Sequence, residues 1–257
     1  MVILNVKNKC LIISDSTNLG NNKGYCSYQF DPTGNRLTVA KKVADNALLL
    51  NYREVHYMYN GLPDKSVTYL NGNEFYETQF YYKDGSVQPF KCEQFFTNKL
   101  NQMDKKNTCG FGFFYDSKDR LVKVTYSTAQ VGDVEYALTI SYNEHDNVLR
   151  MEYEYTSGQF LPNSVIMVSG FDGHPNPYYT IPYWKFLMMN GNWDNPDPEP
   201  IITGLSRNNP LGYATGKFER VMSYAYNNKG LPLSRINTNK SDTSVHSFNE
   251  SFNYRCP

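Results

Sequence analysis

A short phrase recurs along this chain: two aromatic residues spaced by one, then Asp or Asn, a tight turn, and Leu or Val. It reads Tyr28-Gln29-Phe30-Asp31 closing on Leu37, Phe113-Phe114-Tyr115-Asp116 closing on Leu121, and Tyr224-Ala225-Tyr226-Asn227 closing on Leu231. Ile140-Ser141-Tyr142-Asn143 closes on Val148 in the same way, with Ile in the first aromatic place. A shortened copy is Tyr57-Met58-Tyr59-Asn60-Gly61, and a weaker one is Phe80-Tyr81-Tyr82-Lys83-Asp84-Gly85. Aromatics at alternate positions fall on one face of a strand. Asp or Asn followed by Gly or a polar pair reverses the chain, because these residues cap turns and tolerate positive φ. Each copy therefore predicts a β-hairpin, and a phrase repeated along a chain predicts a repeat-built sheet. This is an architecture, not a chemistry.

The 257 residues predict one all-β domain over 1–257, organised in three zones. Residues 1–157 read as a hairpin meander, with strands at Glu54–Tyr59, Ser66–Leu70, Phe75–Tyr82, Phe111–Tyr115, Leu121–Ser127, Val134–Tyr142 and Val148–Tyr155. In the last of these, Arg150, Glu152 and Glu154 oppose Leu149, Met151, Tyr153 and Tyr155, the alternation of a half-buried strand. Residues 160–213 break the rhythm, holding eight of the 13 prolines and both tryptophans. Within them Pro182–Met189 is expected to form a short helix, with Pro182 at its first position. Hairpins resume over 217–256. The expected fold is an antiparallel meander forming a curved sheet or a water-soluble, porin-like barrel, complete or not, with the Pro- and Trp-rich insert packed on or inside it.

Lys and Arg total 25, as do Asp and Glu, so the basic field that nucleic-acid binding requires is missing, and no nucleic-acid partner is expected. Charges such as Lys65, Glu77, Lys123, Arg150 and Glu152 interrupt the strands, so the chain is not expected to be an integral transmembrane barrel. Met1 to Ile13 shows no cationic-then-apolar leader pattern. The five cysteines have no C-x-x-C spacing. Cys92 and Cys109 are expected to be adjacent across a hairpin, while Cys10 and Cys26 flank a Gly/Asn-rich turn region; either pair suits an oxidising compartment, and free buried thiols are the alternative.

The hairpin phrase resembles the YD repeats of the rearrangement-hotspot (RHS) superfamily, best in Tyr115-Asp116-Ser117-Lys118-Asp119-Arg120-Leu121, which has Asp where that family usually carries Gly. The wider layout is similar to a bacterial family of unknown function, often secreted or lipid-anchored, whose domain has a porin-like fold. Its signatures here are Gly170-Phe171-Asp172-Gly173-His174-Pro175-Asn176-Pro177-Tyr178, Leu205-Ser206-Arg207-Asn208-Asn209-Pro210, and Tyr224-x-Tyr226-Asn227-x-x-Gly230-Leu231-Pro232. The resemblance implies a porin-like fold and a cell-envelope location, periplasmic or at the surface. It brings no catalytic residue with it.

No nucleophile elbow, phosphate-binding loop, dinucleotide fingerprint or zincin helix is present, so no catalytic residue, metal or cofactor is assigned. The four histidines are scattered; His174, beside Asp172, reads as a loop group satisfying nearby backbone. Asp194, Asp197 and Glu199 read as a solvated acidic loop. Tyr178, Tyr179, Tyr183, Trp184 and Trp193 are the candidate ligand-binding set, able to stack on sugar rings or hold an apolar ligand. The expected function is a non-enzymatic envelope protein presenting a binding or assembly surface, its partner a glycan or an envelope protein. The alternative is a glycan-acting hydrolase or apolar-ligand carrier with its site beneath the 160–213 insert.

Overall fold

In the computed structural model, residues 10–19, 22–33, 36–44, 50–70, 73–97, 103–128, 134–156, 164–181, 198–216, 218–240 and 248–256 are described. They form sixteen antiparallel strands: β1 (Leu11–Leu19), β2 (Asn22–Phe30), β3 (Leu37–Ala44), β4 (Leu50–Tyr57), β5 (Pro63–Leu70), β6 (Asn73–Tyr82), β7 (Pro89–Thr97), β8 (Met103–Tyr115), β9 (Leu121–Thr128), β10 (Val134–Tyr142), β11 (Val148–Tyr155), β12 (Ser164–Pro175), β13 (Asn208–Thr215), β14 (Phe218–Tyr226), β15 (Pro232–Asn239) and β16 (Phe248–Arg255). Each strand pairs with its sequence neighbours, and β1 pairs with β16, so the sheet closes into a barrel with no free edge. Of the two expected forms, the closed barrel is the one adopted. A 3-10 turn at Tyr178–Thr180 and the helix α1 (Pro198–Leu205) lie between β12 and β13.

The repeated phrase builds one turn again and again. Asp116 Oδ1 accepts the backbone N–H groups of Lys118 and Arg120 at 2.9 and 3.0 Å. Asn143 Oδ1 does the same for His145 and Asn147, and Asn227 Oδ1 for Lys229 and Leu231. Three residues after each of these comes the left-handed position: Asp119 at φ 60°, Asp146 at φ 62° and Gly230 at φ 73°. Asp is among the few side chains that accept this region, which explains how the phrase works with Asp where Gly is the easier choice.

The second aromatic of the phrase has its own task. At Tyr57, Tyr82, Tyr115 and Tyr142 the ladder register shifts by one residue just before the turn. Each of these hydroxyls donates to the carbonyl that opens a strand of the neighbouring hairpin. The bonds run from Tyr57 to Leu37, Tyr82 to Pro63, Tyr115 to Pro89 and Tyr142 to Leu121, at 2.7–2.8 Å. Tyr254 repeats the bond to Pro232 at 2.9 Å. A bulge leaves a carbonyl without its ladder partner, and a buried orphan is costly, so the tyrosine rung satisfies it while tying hairpin to hairpin.

Inward positions form one continuous core that includes Phe111, Leu138, Met151 and Tyr153 of the wall with Ile181, Ile202 and Leu205 of the insert. On β11 the alternation holds: Met151 and Tyr153 are buried, and Arg150 and Glu154 are exposed. Leu149 departs from the inward set and is exposed, because the register shift at Tyr142–Val148 hands the buried place to Val148. Outward positions carry cross-strand or adjacent ion pairs, Lys65–Glu77 at 2.7 Å, Lys91–Glu93 at 2.6 Å and Arg150–Glu152 at 3.0 Å. The two pairs with both partners partly exposed, Lys91–Glu93 and Arg150–Glu152, contribute about 0–1 kcal/mol each, whereas Glu77 is buried beneath Lys65.

Candidate functional site

A network of buried charged side chains lies on β14–β16 and β1, where the two ends of the chain meet. Strand β16 buries Glu250 in phase with Phe252, while Asn249, Ser251 and Asn253 face out. Strand β15 buries Arg235 and Asn237. Arg235 is 4% exposed, and its Nη2 lies 2.5 Å from Glu199 Oε1 of α1 and against Glu250 Oε2 of β16. Glu199 Oε2 accepts from Asn237 Nδ2 at 2.8 Å and is 3.8 Å from Arg220 of β14. Pro198 and Glu199 occupy the first turn of α1, where a missing N–H is harmless and a carboxylate is favoured by the helix dipole.

Two tyrosine hydroxyls converge on Asp15 of β1: Tyr28 donates to its Oδ2 at 2.5 Å and Tyr178 to the same oxygen at 2.9 Å. The Tyr178 oxygen also sits 3.4 Å from Glu250 Oε1. The insert thus reaches across the interior and touches both strands of the closing seam. Burial pushes the Glu250 carboxyl up to about 7, opposed by Arg235 and assisted by Asp15 and Glu199. Burial also raises Asp15, against the hydrogen bonds of Tyr28, Tyr178 and Cys26. Arg235 is held well above its ordinary value by Glu199 and Glu250, which overcome its own desolvation. Four buried polar atoms here make no hydrogen bond, Arg220 Nε, Arg235 Nε, Asn237 Oδ1 and Glu250 Oε2, the last lying against Arg235 as an ion pair.

A second polar assembly lies at the rim, and all three sequence signatures meet in it. Asn176 Nδ2 donates to the carbonyls of Thr203 and Ser206 at the end of α1, at 2.5 and 3.0 Å, while its Oδ1 accepts the Tyr178 N–H at 3.0 Å. Helix ends leave such carbonyls unpaired, so the Asn176 amide caps the last turn of α1. Asn209 Nδ2 approaches Asp172 at 3.3 Å, and Asn208 Nδ2 donates to His174 O at 3.1 Å. The Tyr226 hydroxyl donates to Asp172, and the His174 ring stacks on the Tyr226 ring at 4.0 Å. Beside this assembly the β11–β12 ladder stops at Arg150–Met167 while β12 runs on to Pro175. The parting leaves an open cleft of about 550 Å³ whose lining includes Asn143, His145, Leu149, Phe171, Asp172 and Arg207.

Of the candidate ligand-binding residues, Tyr178 is buried against Asp15 and Phe252, and Tyr179 is 45% exposed. Tyr183, Trp184 and Trp193 lie outside the described residues, as do the expected helix Pro182–Met189, Asp194 and Asp197. Glu199 corrects the reading of a solvated acidic loop: it is buried and bonded to Arg235, because α1 carries it into the interior. Sequence reasoning missed Asp15, Arg235 and Glu250. The available signal was Glu250 in the inward phase of Phe248-x-Glu250-x-Phe252-x-Tyr254, a charge among aromatics on one face. Cys10 is disulfide-bonded to Cys256, with Cα atoms 4.1 Å apart, and not to Cys26; the register of β1 on β16 brings these distant residues together. Cys92 and Cys109 do share the β7–β8 hairpin, but Cys92 faces Phe111 and Cys109 faces Gln94, a two-residue offset, and both are buried thiols outside any disulfide, Cys109 Sγ donating to Gln94 Oε1 at 3.2 Å. Among the described residues no group of His, Cys, Asp and Glu has the geometry to hold a metal.

No protein-family model matches the sequence, and no curated protein matches it. The fold is similar to that of a porin-like protein from Bacteroides uniformis, with a TM-score of 0.64 and 12% identity over 96% of this chain and 98% of that one. The Photorhabdus luminescens Tc holotoxin pore aligns with 88% of this chain but 9% of its own, at 12% identity and a TM-score of 0.33, too low to bear on the fold. The shared fold is a porin-like, closed antiparallel barrel. The expectation that the chain is not an integral transmembrane barrel is overturned by this closure. That expectation rested on charges along a sheet taken as curved or incomplete, whereas the sheet is a closed 16-stranded barrel matched by the porin-like protein over nearly its whole length.

Proposed function

We propose that this chain is a non-enzymatic cell-envelope barrel that presents a binding or assembly surface at its rim, to a glycan or to another envelope protein. The observation that carries the reading is the insert docked within the barrel: Tyr178 and Glu199 reach the wall at Asp15 and Arg235, and the interior is given to packing. Surface for a partner is then offered at the rim, where the β11–β12 parting opens a cleft with both polar groups and the apolar side chains of Leu149, Val168 and Phe171. A bond between Cys10 and Cys256 supports an oxidising compartment. Lipid anchoring, and kinship of the hairpins to YD repeats of the RHS type, belong to the same proposal and rest on the sequence phrases.

The hydrolase alternative would draw on Asp15, Glu199 and Glu250. Glu199 and Glu250 share one guanidinium, and Asp15 is taken up by two tyrosines, so the three serve docking of the insert. The deciding experiment expresses the natural gene in its own host and fractionates the cells by osmotic shock and membrane sedimentation. The protein is expected with the envelope fractions, its Cys10 and Cys256 resistant to alkylation until reduced. Recovery in the cytosol with both thiols free would overturn the proposal. In a binding assay on purified cell-wall glycan, Phe171→Ala is expected to weaken retention with stability unchanged.

A further inference from the structure

The bond between Tyr178 and Glu250 can be made in one protonation state only. A tyrosine hydroxyl has a single proton to give. Tyr178 gives it to Asp15, at 2.9 Å a shorter contact than the 3.4 Å to Glu250. Asp15 Oδ2 receives the Tyr28 proton as well, so this oxygen accepts from both hydroxyls. The remaining contact, Tyr178 oxygen to Glu250 Oε1, is then a hydrogen bond when Glu250 donates and a repulsion between lone pairs when it does not.

Charge counting leads to the same state. The groups around Glu250 are Asp15 of β1, Tyr28 of β2, Tyr178 of the 3-10 turn, Glu199 of α1, Arg220 and Tyr224 of β14, Arg235 of β15, and Tyr254 of its own strand. Among the described residues Asp15, Glu199 and Glu250 face Arg235 and Arg220, and Glu199 and Glu250 both lie on Arg235. A proton on Glu250 relieves this crowding of carboxylates in an interior where an unmatched charge is expensive.

We propose that Glu250 is a proton-binding site that latches the insert into the barrel: a proton on Glu250 completes the relay Glu250–Tyr178–Asp15 across the β1–β16 seam, and its loss releases the 3-10 turn and α1 from the wall. The burial of Glu250, which lifts its titration toward neutrality, puts the transition within the range a cell envelope meets. The latch is independent of where in the cell the protein resides, and its test does not depend on that reading.

The test is hydrogen–deuterium exchange of the full chain between pH 5.5 and 8.5, corrected for the intrinsic pH dependence of exchange. Peptides covering 198–205 report on α1, and peptides covering 134–142 on the opposite wall. Protection of 198–205 is expected to fall at least tenfold as pH rises through 7, with 134–142 unchanged. Glu250→Gln, whose amide donates to Tyr178 at every pH, is expected to keep 198–205 protected at pH 8.5. Asp15→Asn, which leaves two carboxylates for two guanidiniums, serves where Glu250→Gln folds poorly and is expected to abolish the pH step. Equal protection of 198–205 in the wild type at both ends of the range would overturn the latch. So would a step of unchanged size in both variants.

Discussion

Along β8–β11 the barrel turns Phe111, Phe113, Val124, Leu138, Ile140 and Met151 inward; along β14–β16 and β1 it turns Arg220, Arg235, Asn237, Glu250 and Asp15 inward. The first arc joins strands that are neighbours in sequence, each hairpin pinned by its own turn and tyrosine rung. Apolar packing there is non-directional and needs no register beyond what the turns impose. The second arc contains the β1–β16 seam between the two ends of the polypeptide, whose register no turn sets. Directional ion pairs and hydrogen bonds set it instead, because a slip of one residue would turn Arg235 and Glu250 to the outside and leave Glu199 buried alone. Local closure is built from grease and rungs; distant closure is built from charge and a disulfide.

The comparison is broken most directly by cutting the seam. Replacing Cys10 and Cys256 together by Ser opens a loop of 246 residues and is expected to cost about 5 kcal/mol in the loop-entropy account, read from denaturant midpoints. An unchanged midpoint would mean that β1 and β16 hold each other without help. Next, Arg235→Met removes the guanidinium between buried Glu199 and Glu250 and is expected to cost about 3–5 kcal/mol at pH 8, with partial recovery at pH 5. If the loss were the same at both values, the second arc would behave like the first. Leu138→Ala, in the apolar arc, is expected to cost about 2–5 kcal/mol at either pH.

Glu250→Gln sharpens the contrast with a change of opposite sign. The Glu250 carboxyl is raised from the ordinary 4.5 to about 7, so the folded state holds more protons than the unfolded one within that window. Stability from this group is therefore full below about 4.5 and is lost as pH rises through 7. The variant is expected to gain about 1–3 kcal/mol over the wild type at pH 8 and nothing near pH 4.5, and a uniform shift across pH would contradict the linkage. The smallest effect belongs to the repeats. Tyr142→Phe deletes one rung to Leu121 and leaves its carbonyl unpaired, for about 1 kcal/mol by thermal denaturation.

The two arcs also differ in how far they can be read from sequence. Alternation and turn chemistry mark β9, β10 and β11 to within one residue of their ends, and the same phrase locates β14. Local physics writes those elements, so local patterns disclose them. The pairing of Leu11 with Arg255 has no local cause, and with it go Cys10–Cys256 and the meeting of Asp15 with Glu250. Glu199 looks solvated in a stretch rich in proline and acid; only the placement of α1 against β15 makes it a buried ion-pair partner. Asn176 satisfies helix-end carbonyls and Asn209 approaches Asp172, contacts between segments that no local pattern discloses.

The tyrosine rung makes no reference to how many hairpins there are. Each one joins a hairpin to its predecessor by the same bond, so a barrel of this kind can gain or lose a hairpin by duplication or deletion without new turn or rim chemistry. Circumference is counted elsewhere. An insert that must touch β1, β14, β15 and β16 at once fits a single diameter, and a copy of the gene with one hairpin more would have every rung intact and no wall within reach of Glu199. The insert, in this sense, is the molecule's ruler.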